Sequence, residues 1–94
     1  MKTLPDDVKA YKKTPIFDEQ TVPKALLNDH NTKVGTWGLI NILEGEMTYT
    51  IKSDPEEVVH LDKTKFGVVE PETLHHVSPK GKVKFFVEFY KLPK

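Results

Sequence analysis

Ninety-four residues, 30% charged and 37% hydrophobic, make one globular domain: the chain is too short for two independent cores and too apolar to stay disordered. Fourteen basic and fourteen acidic residues cancel to a net charge of zero, and no basic run exceeds Lys12-Lys13, so the electrostatic footprint of a nucleic-acid binder is missing. With no cysteine, disulfides, thiolate metal sites and a cysteine nucleophile are excluded, and any metal must sit on His, Asp or Glu.

In chain order, Met1 to Lys13 is polar and charged and reads as an N-terminal arm or edge strand, residues 1–13, ahead of a domain spanning 14–94. Thr14-Pro15-Ile16-Phe17 and Val22-Pro23-Lys24-Ala25-Leu26-Leu27 are short apolar pieces broken by prolines, which lack an amide donor and suit edges and bends. Lys24 to Asn28 has room for one helical turn. From Thr36 to Leu43 β-favouring residues dominate, Glu44-Gly45 is expected to turn a hairpin, and Met47 to Ile51 alternates with period two. Ser53-Asp54-Pro55-Glu56 is a turn, Val58 to Leu61 a strand and Asp62 to Lys65 another turn. Phe66 to Val69 and His75 to Ser78 follow as strands, and Pro79-Lys80-Gly81 turns the chain into a last one in which Val83, Phe85, Val87 and Phe89 share a face. Six to eight short strands without a long helix predict an all-β fold, a small antiparallel barrel or jelly-roll-like sandwich. Both faces of Leu39 to Leu43 are apolar, which predicts a homodimer packed through this strand and the last one.

Two segments distant in sequence each set a histidine beside a strand-and-turn pattern: His30-Asn31-Thr32-Lys33-Val34-Gly35-Thr36-Trp37-Gly38 leading to Leu43-Glu44-Gly45-Glu46, and Val69-Glu70-Pro71-Glu72-Thr73-Leu74-His75-His76-Val77. This split signature resembles the cupin superfamily, in which two histidines and a glutamate precede the glycine of a hairpin and a proline precedes a later histidine. More narrowly it resembles the small cupin domain of the tellurite-resistance (TehB/YeaR-like) family, over about Thr14 to Tyr90. In that family the domain occurs alone or ahead of a methyltransferase; the present chain has no room for the latter and shows no G-x-G-x-x-G, so transferase activity is not implied. The resemblance implies binding of a small molecule or oxyanion in a toxic-oxyanion or stress response. Counting back from Gly45, the family's glutamate falls near Gly38 and its second histidine near Thr32, so two of the usual four metal ligands are absent.

The remaining histidines are the candidates for chemistry. In a strand His75 shares a face with Val77 and His76 with Ser78, so His75 is expected to point inward and His76 outward. His30 and His75, with Glu88 as the third ligand, form the expected site for a divalent transition metal such as zinc, nickel or iron. The alternative for His75 is a buried histidine bonded to backbone. Lys33 is placed to hold an anion, and Trp37 and Tyr49 to line a pocket mouth, unless Lys33 is simply solvated and the aromatics belong to core or interface. His60 reads as a surface residue without a partner. Three functions stay open: a ligand-binding domain, a metal-dependent enzyme of dioxygenase or isomerase type, and a metal-free regulatory or dimerisation module. Met1 to Asp7 lacks the apolar core of a signal peptide and no apolar run approaches a membrane span, so a cytoplasmic protein with no membrane partner is expected.

Overall fold

A computed structural model describes residues 1–93; Lys94, the last residue of the expected domain, lies outside the described residues. The architecture is an antiparallel six-stranded sheet with one short helix: β1 (Lys9–Lys13), β2 (Phe17–Asp18), α1 (Lys24–Leu27), β3 (Trp37–Ile51), β4 (Glu57–Leu61), β5 (Gly67–Val69) and β6 (His75–Lys91). Its spine is the pairing of β3 with β6, which runs from Trp37 opposite Tyr90 to Ile51 opposite His75. β1 and β2 pair with the later half of β6, and β5 and β4 with the earlier and later halves of β3. Among the described residues no helix is long and apolar enough to cross a membrane.

The expected all-β class and antiparallel pairing are observed, and the single helical turn falls on Lys24–Leu27. Three expectations need correction: the closed barrel and the two turns, at Glu44-Gly45 and at Pro79-Lys80-Gly81, since β6 runs unbroken through the latter. The sheet order β1-β6-β3-β4 leaves β1 and β4 at its edges, so the sheet is not closed into a barrel. Glu44-Gly45 does not end a strand either: β3 passes through it unbroken, with register shifts between Ile42 and Glu44 and between Gly45 and Met47. On the facing strand Lys80 to Lys82 fall between the pairs Val83 with Gly45 and Pro79 with Met47. Both strands thus bulge at one level instead of turning back as hairpins, because an inserted residue bends a strand while leaving its partner in place. Gly45 (φ 80°) is obligatory there, since a Cβ would lie 2.0 Å from the Lys82 carbonyl oxygen, whereas Gly81 (φ 79°) faces open space.

The bulges also shift the pleat. Ile40 and Ile42 point inward before the bend, and Met47, Tyr49 and Ile51 after it, so even positions give way to odd ones. The two halves then close on one core in which Met47, Leu61 and Phe85 are fully buried beside Val59, Val77, Val83 and Val87. Tyr49 ties the halves together: its hydroxyl donates to the Val68 carbonyl on β5 at 2.9 Å.

Candidate ligand-binding site

His75 opens β6, and the loop carrying His30 crosses beside it. The loop is held by backbone, not side chain: His30 N–H donates to the His75 carbonyl and His75 N–H to the His30 carbonyl, both at 3.0 Å. This reciprocal bridge is a narrow pair of an antiparallel ladder, and it sets the two imidazoles side by side, ring centroids 4.1 Å apart and planes at 55°. Farther along the loop, Glu72 N–H donates to the Thr32 carbonyl and Thr36 N–H to that of Lys33, so the strip from His30 to Thr36 is pinned at three places.

Each imidazole is oriented the same way. His75 Nδ1 lies 2.8 Å from the Thr73 carbonyl and His30 Nδ1 3.0 Å from that of Asn28. A carbonyl only accepts, so each Nδ1 carries the proton and each neutral ring presents its Nε2 lone pair. His75 is only 4% exposed, yet no buried side-chain nitrogen or oxygen lacks a partner among the described residues, and Nε2 makes no hydrogen bond. Its Nε2 therefore opens onto the adjoining cavity. Burial holds the His75 pKa below the usual imidazole value, opposed by the Thr73 bond and reinforced by the neighbouring His30. Tyr49 packs edge-on against the His75 ring at 5.8 Å.

The cavity is about 250 Å³. Its polar end is formed by His30, Asn31, Thr32, Lys33, Thr36 and His75, with Tyr11, Lys12 and Thr14 on the rim. Its apolar wall is the inner face of the sheet, Ile40, Val69, Val77, Phe85 and Val87, completed by Leu26 from α1 and by Phe89. Among the described residues no carboxylate lines it.

Of the residues singled out from sequence, His30, His75 and Lys33 converge here, and the others do not. Glu88 sits on the opposite face of β6 with Phe86 and accepts the Tyr90 hydroxyl at 2.5 Å; strand parity, which turns Val83, Phe85 and Val87 inward, turns Glu88 out. Trp37 lies on that outer face, opposite Tyr90, because the inward positions of β3 at this end are even. Tyr49 lies in the core, behind His75 and not at a mouth. His76 points away from the cavity to Asp29, 2.7 Å from its carboxylate. His60, for which sequence offered no partner, meets Glu46 at 2.6 Å. Among the described residues no three His, Asp or Glu side chains gather as a metal site.

Four lining residues were not anticipated. Thr14 extends the β6 ladder, its amide donating to the Val87 carbonyl and its hydroxyl accepting from the Val87 amide. Thr36 is buried and shares the inward face with Gly38, two residues on. Tyr11 and Lys12 both reach the rim because β1 bulges between Ala10 and Lys12, which breaks the alternation that sequence reading relies on.

Comparison with known proteins assigns the family. The TehB-like domain profile matches residues 12–87. The chain belongs to the TehB-like family. Two Haemophilus influenzae proteins, each named a probable S-adenosyl-L-methionine-dependent methyltransferase TehB, are 28% and 30% identical over 78 residues. Those matches take in 79% of this chain but 27% of either relative, so the TehB-like chain spans about a quarter of their length. Escherichia coli YeaR is 22% identical across 99% of this chain and 86% of its own length. In fold, the TehB-like chain matches a crystal structure of an Escherichia coli K12 protein over the whole of both chains (TM-score 0.88, 21% identity). It also matches Haemophilus influenzae TehB over 93% of this chain and 32% of that one (TM-score 0.83, 24% identity).

Proposed function

We propose that this TehB-like chain is a small-ligand-binding domain of the cupin type whose cavity takes an anion. One observation carries the reading: two imidazoles and Lys33 converge on a cavity lined also by hydroxyls and an amide and, among the described residues, by no carboxylate. Lys33, the Asn31 amide and the threonine hydroxyls offer an anion positive charge and donors, to which each imidazole adds an Nε2–H once protonated, while among the described residues no carboxylate offers a cation a negative charge. A role toward tellurite or another toxic oxyanion in a stress response rests on family resemblance.

A second reading, a divalent metal on His30 and His75, is favoured by the anchoring of both Nδ1 atoms to backbone carbonyls, the arrangement that orients ligand imidazoles. The fit is partial, since two nitrogens are short of the three protein ligands of an open catalytic site and Glu88 is turned away. A metal held by His30 and His75 would supply Lewis acidity there, and the chain's own part would be to present the two Nε2 atoms beside the apolar wall of Ile40 and Phe85. The proposal also assigns the outer face, where Trp37, Phe86 and Tyr90 remain half-buried, to a second copy of the chain.

The two site readings respond oppositely to pH. Protonating an imidazole strengthens an anion site and destroys a metal ligand. Titrating untagged protein with tellurite and with zinc between pH 8 and pH 5, following the imidazole resonances, should show tellurite binding strengthen and zinc binding weaken as pH falls. Anion affinity that is flat or falls toward acid rejects the first reading, and undetectable zinc uptake at pH 8 rejects the second. Sedimentation showing only monomer at micromolar concentration rejects the dimer.

A further inference from the structure

We infer that the cavity's ligand is a small carboxylate with an apolar body, not an inorganic oxyanion. This rests on the anion reading above and concerns what kind of anion fits. The donors gather on one pinned loop, where Asn31, Thr32 and Lys33 are consecutive and lie beside the bridged His30 and His75, whose Nε2 atoms donate once protonated; Tyr11, Lys12 and Thr14 add polar groups only at the rim. The facing wall is hydrocarbon: Ile40, Val77, Phe85 and Val87, with Leu26 as a flap from α1.

An inorganic oxyanion spreads its acceptors around a central atom. Seated in this cavity it satisfies those turned toward the loop and presses the rest against aliphatic side chains that donate nothing, at the cost of desolvating them. A carboxylate gathers both acceptors at one end, where they meet donors, and trails carbon into the other, where it meets hydrocarbon. Size agrees. At about 30 Å³ for each water-sized group the cavity has room for about eight groups, a head and a short chain or ring, below the range of drug-sized pockets. The ligand charge is also fixed in sign, because the rim adds Lys12 and no acidic side chain.

The test is a chain-length series on the whole protein: formate, propionate and pentanoate, against tellurite, phosphate and 1-pentanol, read by the His30 and His75 imidazole shifts. The expected result is affinity rising about fourfold for each added methylene, the value of burying that group, with both inorganic anions weaker than pentanoate and 1-pentanol unable to saturate. Leu26→Ser, at a half-buried position outside the innermost core, should flatten the series, weakening pentanoate more than propionate and propionate more than formate. A flat series in unmodified protein, or tellurite or phosphate binding as tightly as pentanoate, overturns this inference while the anion site stands. Equal affinity for pentanol and pentanoate also overturns it. If no anion moves either imidazole, the anion reading itself fails and takes this one with it.

Discussion

The two faces of the β3–β6 ladder are made by the same strands, the inner one nearly all apolar and the outer one rich in polar side chains, and they differ in what their polar groups have left to offer. Outside, the Glu88 carboxylate already accepts the Tyr90 hydroxyl, a bond that pushes the Tyr90 pKa up to about 12, with desolvation adding to it. Inside, each imidazole spends Nδ1 on a backbone carbonyl and keeps Nε2 unbonded. Residue type is therefore a poor guide to a site here. Unspent hydrogen-bonding capacity facing a cavity is a better one, and it separates His75 from Glu88, which sequence reading offers as ligands to one metal.

The comparison breaks first on packing. Phe85 is fully buried on the inner face and its neighbour Phe86 half-buried on the outer, so Phe85→Ala should cost about 3–5 kcal/mol in urea unfolding and Phe86→Ala far less. Equal losses would mean that the outer face is covered in solution. Next, Tyr49→Phe strands the buried Val68 carbonyl and should cost about 1–2 kcal/mol, whereas Tyr90→Phe, at a partly exposed pair, should change the unfolding midpoint little.

The faces also titrate apart. His75 has a folded-state pKa below its unfolded one, so the unfolded chain binds the proton more readily. Its contribution to stability is complete above the unfolded value near 6.5 and is lost as pH falls through the lowered one. Midpoints measured from pH 8 to pH 4 should fall on the acid side, and less so in His75→Gln. An identical acid limb in the variant removes His75 as its source. The smallest effect is spectroscopic: Glu88→Gln should bring the Tyr90 phenol transition down toward the ordinary value near 10, with the buried Tyr49 still titrating far higher, driven by burial and then by Glu70 and Glu57. An unmoved Tyr90 transition would show that the carboxylate is not its cause.

Much of this was legible in the chain. Period two in Val83, Phe85 and Val87 marks the inner face, and pairing His75 with Val77 rather than Ser78 puts its ring on the cavity side. The same parity, carried one residue further, turns Glu88 outward and groups Tyr49 with Met47 and Ile51 in the core; reading these residues by chemistry alone misplaced them. The bend at Gly45 was harder to recognise, because a bulge and a hairpin turn both ask for a glycine at positive φ, and only the partner strand distinguishes them. Tyr11 and Lys12 left no signal, since a bulge in an edge strand depends on Phe89 and Tyr90 across the ladder.

The reciprocal main-chain bridge between His30 and His75 separates two things that many sites entangle. Where side chains hold each other in place, changing one collapses the arrangement. Here the alpha carbons are fixed by amides and carbonyls that every residue except proline possesses, so the imidazoles are interchangeable heads on a permanent mount. Related sequences can exchange those two heads for other side chains, and with them the chemistry of the cavity, without renegotiating the loop.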